Sequence, residues 1–419
     1  MEAFSGAYKG KLDSLLGEAL EALCEIVMLQ EKIGLFLGLK FSLNTGDSAV
    51  KAKSAEMETK LSAASGEFMT FWEIELGALP DESIRAQMTH PAVAKHTPYI
   101  EQVRVFRPYM LSEPVESALT KRSPFGAGAW AGFFDELEAD LEFQFGKPEV
   151  DLDLARRLSD LGPVALALGL DSVVTTPKKN LTEMLHVLSE SKDPEERAAA
   201  LHVVNKGLGG SFAKYAAETL YMVAGAKAVE RRERGYLHPM QGRNMSNRVP
   251  DKVVDALHDA VTHVSAPLAQ RYYKLKAAHL GMKTLRWSDR NASMPFEDSS
   301  TVAFDDGMKL VLEAYESFSP KLAELISETA ARKHIDAPAQ KGKRGGAFNA
   351  SGVLPGGVPV SYTFLNYLGS GRDVMTLAHE LGHGVHGLLA GEAQGPLMGN
   401  APIAYAETAS VFGEMVTFS

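Results

Sequence analysis

The segment SGRDVMTLAHELGHGVH, residues 370–386, has the pattern of an amphipathic α-helix. Ser370 or Gly371 can begin this helix, and Asp373 in the first turn places a negative charge near the positive helix N-terminus. Apolar side chains then recur every three or four positions, at Val374, Leu377, Leu381 and Val385. We therefore predict one buried face and a second face that carries the polar residues.

The polar residues His379, Glu380 and His383 match the pattern H-E-x-x-H. Residues four apart lie on one helix face, about 5–6 Å apart at Cβ, so two imidazoles can converge on a single ion. Zinc at catalytic sites usually takes three protein ligands and a water. Glu380 points to a neighbouring sector, where it can reach that water without binding the metal, and we predict it as the general base.

The third protein ligand must come from outside this pair. His386 lies seven residues after His379, about 10.5 Å along the helix axis, which is too far for one ion. We expect His386 to pack beside the site instead. The segment AYAETASVFGEM predicts a following helix in which Glu407 lies among small and apolar residues. A carboxylate in that setting favours burial with a partner such as a metal ion, so we favour Glu407 as the third ligand.

Two other acids, Glu392 and Glu414, are lesser candidates for the third ligand. Glu414 lies seven residues after Glu407 on the same helix face, and it could orient a ligand histidine by accepting the other ring N–H. The metzincin pattern is excluded because Leu389 stands where that class requires a third histidine.

Helical periodicity dominates the rest of the chain and predicts a mainly α fold. We predict an N-terminal helical region over residues 1–170 and a catalytic region with the zinc site over residues 171–419. Within the second region, helical segments are predicted at 212–233, 250–279 and 305–334. Residues 341–371 are rich in Gly, Val, Phe and Tyr, which predicts a small β-sheet beside the helix of the metal motif.

The composition is that of a soluble globular protein, with 45% apolar and 23% charged residues. A net charge of −10 gives no general attraction for phosphate backbones, so nucleic acid is not an expected partner. Cys24 is the only cysteine, which disfavours a structural zinc site and fits a reducing compartment. No stretch reaches the roughly 18 apolar residues of a membrane span. We expect a cytoplasmic protein without a membrane partner.

Three segments together resemble the oligoendopeptidase F branch of the thimet oligopeptidase family: KGKRGGAF, FLNYLGSGRDVMTLAHELGHGVHGLL and AETASVFGE. A weaker similarity extends over most of the chain, including FRPYMLSEPVESAL and GAWAGFFDEL. The resemblance implies a helical ellipsoid split by a deep channel, with zinc at its floor. It also implies that His379, His383 and Glu407 hold one zinc per chain and that Glu380 activates the zinc-bound water. Short flexible peptides would then be cleaved internally.

In this family, the strand beside the active-site helix pairs with the substrate backbone, and a glycine-rich wall adjoins it. The resemblance places that strand at residues 362–366 and the wall at residues 345–348. Six substrate-binding residues are thereby implied: Gly345, Gly346, Phe348, Tyr362, Phe364 and Asn366. The alternative is an ordinary sheet and turn, because strand edges bind peptides only where they are exposed.

The chain departs from the family pattern at both ends. The family has Tyr and His groups beyond the glutamate ligand that bind substrate and stabilise the oxyanion, so we expect the C-terminal part of the catalytic region, and a short leading segment, to be missing. Such a chain would bind zinc but turn over peptides poorly. Two alternatives to an endopeptidase remain: a carboxypeptidase on a similar helical frame, and a zinc-binding protein without turnover.

Overall fold

The computed structural model describes residues 1–147, 149–150, 174–294 and 301–419. Helices dominate these ranges and short strands accompany them, so the predicted mainly α fold is confirmed. The predicted boundary between residues 170 and 171 lies outside the described residues.

Residues 1–147 contain nine α-helices and the first strand. The helices are α1 (Glu2–Tyr8), α2 (Leu12–Leu43), α3 (Ser48–Phe68), α4 (Thr70–Ala78), α5 (Asp81–Ala86), α6 (Pro91–Lys95), α7 (Thr97–Val105), α8 (Glu113–Arg122) and α9 (Ala127–Ala139). Leu16, Leu20 and Leu23 repeat at helical spacing on α2, and all three are buried. They pack with Phe71 and Trp72 of α4 in the N-terminal core, whose buried members run from Phe4 to Val103.

The middle of the chain combines short strands with helices. The strands are β1 (Phe143–Gln144), β2 (Glu149–Val150), β3 (Val174–Thr175) and β4 (Lys178–Lys179). β1 pairs with β4 and β2 with β3, both antiparallel. The helices are α10 (Leu181–Glu190), α11 (Pro194–Leu208), α12 (Ser211–Arg234), α13 (Gln241–Ser246), α14 (Asp251–Ala260) and α15 (Ala266–His279), with a π-helical turn at Val261–Ser265.

Phe143 and Phe145 pack against α10 and α11 in the middle core, whose other buried members are Met184, Leu188, Ala200 and Val204. The side chains on the two sides of the predicted boundary therefore share one core.

The C-terminal part places a three-stranded sheet among helices. Its elements are α16 (Phe304–Phe318), α17 (Pro320–Ala331), β5 (Ile335–Pro338), β6 (Phe348–Leu354), β7 (Val358–Tyr367), α18 (Gly371–Gln394) and α19 (Ile403–Phe418). β7 is the central strand, parallel to β5 and antiparallel to β6. α18 covers one face of β6 and β7, and α19 lies against α18. Val311, Tyr315, Ile326, Leu365 and Leu377 are among the buried members of this C-terminal core.

The predicted helices at 212–233 and 250–279 correspond to α12 and to the continuous run of α14 and α15. The single helix predicted at 305–334 is wrong: two helices occupy this range, and Ser319 between them is extended. Pro320 explains the break, because the residue before a proline is disfavoured in helical conformation. The strand β5 follows directly, so β structure begins before residue 341. Within the described ranges, none of the helices combines the length and apolar character that a membrane span requires.

Candidate metal centre

The helix α18 begins with a reciprocal pair of side-chain hydrogen bonds. The backbone N–H of Asp373 donates to Ser370 Oγ at 3.2 Å, and the backbone N–H of Ser370 donates to Asp373 Oδ2 at 2.9 Å. This capping box satisfies backbone groups that the first helical turn leaves unpaired. The apolar stripe predicted from the sequence is buried throughout: Val374, Leu377, Leu381 and Val385. The capping box thus determines where the helix begins, and the apolar stripe determines which face it turns toward the core.

Glycines allow α18 to approach its neighbours on two sides. A Cβ atom added to Gly387 would lie 2.2 Å from Ser351 Oγ on β6, and one added to Gly384 would lie 2.8 Å from Ser361 Oγ on β7. On the side of α19, a Cβ atom at Gly382 would lie 2.6 Å from the carbonyl oxygen of Ala409. These separations are shorter than any normal carbon contact. Any larger residue would therefore push the sheet or α19 away from the metal motif.

The buried Tyr315 of α16 fills the junction between α18 and α19. Its hydroxyl donates to the carbonyl oxygen of Ala378, directly before His379, at 2.9 Å. A Cβ atom at Gly413 would lie only 1.9 Å from this hydroxyl. Because α19 carries a glycine at that point, its acidic residues come within reach of the histidines of α18.

His379, His383 and Glu407 converge on one point, with one donor atom from each lying within 4.8 Å of the others. Glu407 Oε2 is 3.3 Å from His379 Nε2 and 3.5 Å from His383 Nε2. The two imidazole rings are 4.8 Å apart at their centroids and nearly perpendicular, at 83°. In the described part of the chain, this is the one group of three such residues close enough to share an ion.

These donors fit a zinc ion. Zn–N and Zn–O bonds of about 2.0–2.2 Å in a tetrahedron place neighbouring ligand atoms about 3.3–3.6 Å apart, and the two distances from Glu407 Oε2 fall in that range. Burial lowers the pKa of His383, although the Glu407 carboxylate offsets part of this effect. A neutral imidazole is the form that binds a metal. A zinc ion held by these three donors would keep a fourth position for water, as catalytic sites require.

Two further side chains of α19 contact this triad. Glu414 Oε1 lies 2.5 Å from His379 Nδ1, the ring nitrogen that faces away from Glu407. Ser410 Oγ donates to Glu407 Oε2 at 2.8 Å. Such outer partners fix the orientation of ligand side chains. Glu392, the other alternative acid, is exposed near the end of α18 and does not join the cluster.

Glu380 is only 6% exposed, and its Oε2 atom has no hydrogen-bond partner among the described residues. Burial raises the pKa of Glu380 to about 7, while His379 lowers it and Glu407 raises it further. An unpartnered buried carboxyl is costly, so its persistence beside metal-binding donors points to a chemical role. A carboxyl that titrates near neutral pH can both accept and release a proton.

A cavity of about 410 Å³ adjoins the triad. His386 lies in its wall, as expected for a histidine packed beside the site. The cavity is also lined by residues at the start of β6 and in the loop between α18 and α19: Ala347, Phe348, Asn349, Ser351, Gly399, Asn400 and Ala401. Of the six predicted substrate-binding residues, Phe348 is the one that lines it.

The predicted pairing of residues 362–366 with a substrate backbone is wrong for the centre of this segment, because Thr363 and Phe364 of β7 pair with both β5 and β6. Tyr362 instead lines a separate apolar groove of about 600 Å³ beside α2. Phe364 is buried, stacked on Phe348 with ring centroids 4.6 Å apart. The outer strands of this sheet are β5 and β6, and of these two it is β6 whose residues Asn349 and Ser351 reach the cavity.

The glycine-rich wall is anchored to the sheet. Asn366 Nδ2 donates to the carbonyl oxygens of Arg344 and Gly346 at 2.9 and 2.8 Å. Gly346 has a φ of +78°, a conformation that favours glycine. Gly345 approaches Glu138 of α9, and Gly346 lines a smaller pocket of about 240 Å³ with Asn366. Asn366 thus holds the wall in place without reaching the metal cavity itself.

Sequence reasoning missed several residues at the site. Ser410 could have been found, since it lies three positions after Glu407 and so faces it on a helix. Tyr315, Asn349 and Asn400 carry no such signal, because tertiary packing brings them to the site from distant elements.

A sequence model of peptidase family M3 matches residues 187–419, which is more than half of the chain and includes the entire triad. The chain belongs to peptidase family M3. A second model, described as oligopeptidase F, matches residues 75–143. The membership in the oligoendopeptidase F branch predicted from the sequence is thereby confirmed.

Curated relatives of this M3 family member include the group B oligopeptidase PepB of Streptococcus agalactiae serotype III (strain NEM316). It is 25% identical over 99% of this chain and 64% of its own length. The oligopeptidase PepF of Bacillus subtilis (strain 168) is 24% identical over 97% of this chain and 57% of its own length. The chain therefore spans less than two thirds of these relatives.

The fold matches a 3.1 Å crystal structure of a protein assigned as an oligoendopeptidase F. The TM-score is 0.77 at 16% identity, over 100% of this chain and 68% of that one. At this identity the match shows a shared fold only.

Proposed function

We propose that this family M3 member is a zinc-dependent endopeptidase that hydrolyses internal bonds of short, flexible peptides and carries one zinc per chain. The observation that carries the proposal is the triad of His379, His383 and Glu407, whose spacing fits zinc, beside the buried and unpartnered Glu380. The names of the curated relatives, both oligopeptidases, support the same substrate class.

The residues of the chain divide the work as follows. Zinc bound by the triad would act as a Lewis acid and lower the pKa of water. Glu380 accepts a proton from the attacking water and returns it to the departing amine. Glu414 and Ser410 hold the ligand side chains in orientation through His379 Nδ1 and Glu407 Oε2.

We propose that the substrate backbone binds along β6 instead of β7. An extended peptide can add a strand to the outer edge of a sheet, and β6 is the outer strand beside the cavity. Main-chain pairing is tolerant of sequence, which suits an enzyme that selects flexible peptides by length. We also propose no nucleic-acid partner, because a net charge of −10 gives no general attraction for phosphate backbones. A deep channel and a cytoplasmic location stay predictions.

Metal analysis of the purified protein tests the proposed centre. We expect about one zinc per chain, and we expect His379→Ala and His383→Ala each to abolish tight binding, because two donors do not complete a catalytic zinc site. His258→Ala, an exposed histidine on α14, is the matched control and should keep full occupancy. Full zinc occupancy in both triad variants would contradict the assignment.

Digestion of a mixed peptide library tests the reaction. Internal cleavage that stops on addition of a chelator is expected, with stable folded proteins left intact because they offer no extended segment. Release of single C-terminal residues would favour the carboxypeptidase alternative. Bound zinc without any product would favour a protein that has lost turnover.

A further inference from the structure

Ser410 is a fully buried polar residue on α19, one helical turn after Glu407. Its hydroxyl oxygen lies 2.8 Å from Glu407 Oε2 and 3.1 Å from the backbone carbonyl oxygen of Glu407. A helical serine commonly donates to the carbonyl of the preceding turn. Here the carboxylate is the nearer acceptor, and a hydrogen bond to a charged group is the stronger of the two.

The oxygen contacted by Ser410 is the one that faces both histidines. Glu407 Oε2 is 3.3 Å from His379 Nε2 and 3.5 Å from His383 Nε2. The Glu407 side chain is otherwise 53% exposed, so little packing restricts its rotamers. Each carboxylate oxygen has two acceptor sites, which allows Oε2 to accept from Ser410 and still present a lone pair to a cation.

The position of Ser410 is set by the junction of the two helices. Its Cα would lie 2.9 Å from a Cβ added to Gly382, so α18 and α19 are in direct backbone contact at this point. The serine is therefore held on a rigid support, whereas the glutamate side chain that it contacts reaches toward the cavity.

We propose that Ser410 is a positioning residue that holds Glu407 Oε2 in the orientation for metal binding. The proposal rests on the metal centre of the proposed function and deepens it. Ser410 does not contact the metal or the substrate. It restricts the Glu407 side chain to fewer rotamers before the ion binds, so less conformational freedom is lost on binding. The effect of Ser410 on zinc affinity therefore depends on the Glu407 carboxylate.

The test is a double-mutant cycle on zinc affinity, measured by competition with a chromophoric chelator. Ser410→Ala is expected to weaken zinc binding about 10- to 100-fold, the usual effect of removing an outer partner of a ligand. In a Glu407→Ala background, whose weak residual zinc binding is measured with a low-affinity indicator, adding Ser410→Ala is expected to change the affinity no further, since the group on which Ser410 acts is gone. The absorption spectrum of bound Co²⁺ should change in Ser410→Ala for the same reason.

Thr417→Val is the matched control, because Thr417 lies on the same helix and its hydroxyl donates only to the carbonyl oxygen of Gly413. It should leave zinc affinity unchanged. Alanine has a higher helix propensity than serine, so Ser410→Ala is expected to fold, and circular dichroism checks this.

Unchanged zinc affinity in Ser410→Ala would overturn the inference. If Ser410→Ala lowered zinc affinity equally in the unmodified protein and in the Glu407→Ala background, the inference would also be overturned. The effect would then come from packing and not from the Glu407 carboxylate. If the unmodified protein binds no zinc, the proposed metal centre fails, and the role of Ser410 fails with it.

Discussion

Glu380 is the residue on which the proposed chemistry depends most directly. The substitution Glu380→Gln keeps the shape of the side chain but cannot accept a proton from water. We expect zinc content to stay near that of the unmodified protein and kcat to fall by about 10²–10⁴-fold, the usual contribution of a general base. Metal analysis and cleavage of a quenched peptide measure the two effects separately.

A matched control for this substitution lies on the same helix. Glu392→Gln changes an exposed glutamate of α18 that is not part of the metal cluster, and it should leave both zinc content and kcat unchanged. Undiminished turnover in Glu380→Gln would show that another group accepts the proton.

The site residues that sequence could predict are those related by helical spacing. His379, Glu380 and His383 share two turns of α18, and Glu407 and Glu414 lie seven residues apart on one face of α19. The sequence could not show that these two helices meet, because that contact depends on Tyr315, Gly382 and Gly413 packing together. The setting of Glu407 among small and apolar residues only favoured it as a ligand, and the family resemblance implied the same assignment.

At the scale of elements, glycine positions on α18 and α19 decide how closely the two ligand-bearing helices approach. We expect Gly413→Ala to destabilise the protein by about 1–3 kcal/mol, as overpacking of a tight core contact does. The added Cβ would lie 1.9 Å from the Tyr315 hydroxyl and 2.8 Å from the Ala378 carbonyl oxygen. Zinc affinity should fall too, because the added methyl group would displace α19 and move Glu407 away from the histidines. Urea denaturation and chelator competition measure these effects.

Two further variants sharpen this prediction. Tyr315→Phe removes the oxygen that clashes most severely, so the double variant Gly413→Ala, Tyr315→Phe should regain part of the lost stability. Gly225→Ala provides a control on α12, where an added Cβ meets nothing within 4 Å. It should be neutral or slightly stabilising, because alanine favours a helix over glycine. Equal stability of Gly413→Ala and the unmodified protein would contradict the geometry of the junction.

The sheet shows why strand roles were harder to predict than helices. The sequence placed β structure near Tyr362 and Phe364, but it could not show which strand lies at the centre. β5 follows the helical residues of α17 and pairs with β7 through a parallel register, Ile335 opposite Thr363. That long-range pairing covers one edge of the strand that the family resemblance suggested would bind substrate, and β6 covers the other.

At the scale of the whole molecule, the metal cavity is built on more than one core. The loop between α18 and α19 lines the cavity with Asn400, while Leu397 of the same loop packs against the N-terminal core. The helix α18 itself belongs to the C-terminal core. Substitutions that destabilise the N-terminal core should therefore perturb the metal cavity through this loop, although that core contributes no metal ligand.

The middle core is reinforced by a buried ion-pair network. Arg197 of α11 is 3% exposed and Asp289 is fully buried, with Arg197 Nε donating to Asp289 Oδ1 at 2.9 Å. Arg286 donates to the second carboxylate oxygen at 2.8 Å and contacts Glu195 at 2.9 Å. Burial by itself raises the pKa of Asp289, but the hydrogen bonds and charges of Arg286 and Arg197 outweigh this effect, and the pKa is lowered from its ordinary value of 3.8.

The lowered pKa of Asp289 predicts a specific dependence of stability on pH. Its stabilising contribution is present above about pH 4 and is lost as the pH falls from there through the folded-state pKa, because protonation removes the charge that the arginines require. Asp289→Asn mimics the protonated form, so it should lower the free energy of unfolding by about 3–5 kcal/mol at pH 7, the usual effect of breaking a buried ion pair. Below pH 4 the difference in the free energy of unfolding between the two proteins should narrow, since the unmodified protein then loses the same interaction.

Urea denaturation at a series of pH values measures this gap in the free energy of unfolding. The control Asp81→Asn, which removes an exposed partner of Arg104, should show a much smaller gap. A gap that stays constant from pH 7 to pH 3 would mean that packing around the side chain, and not its charge, stabilises the middle core.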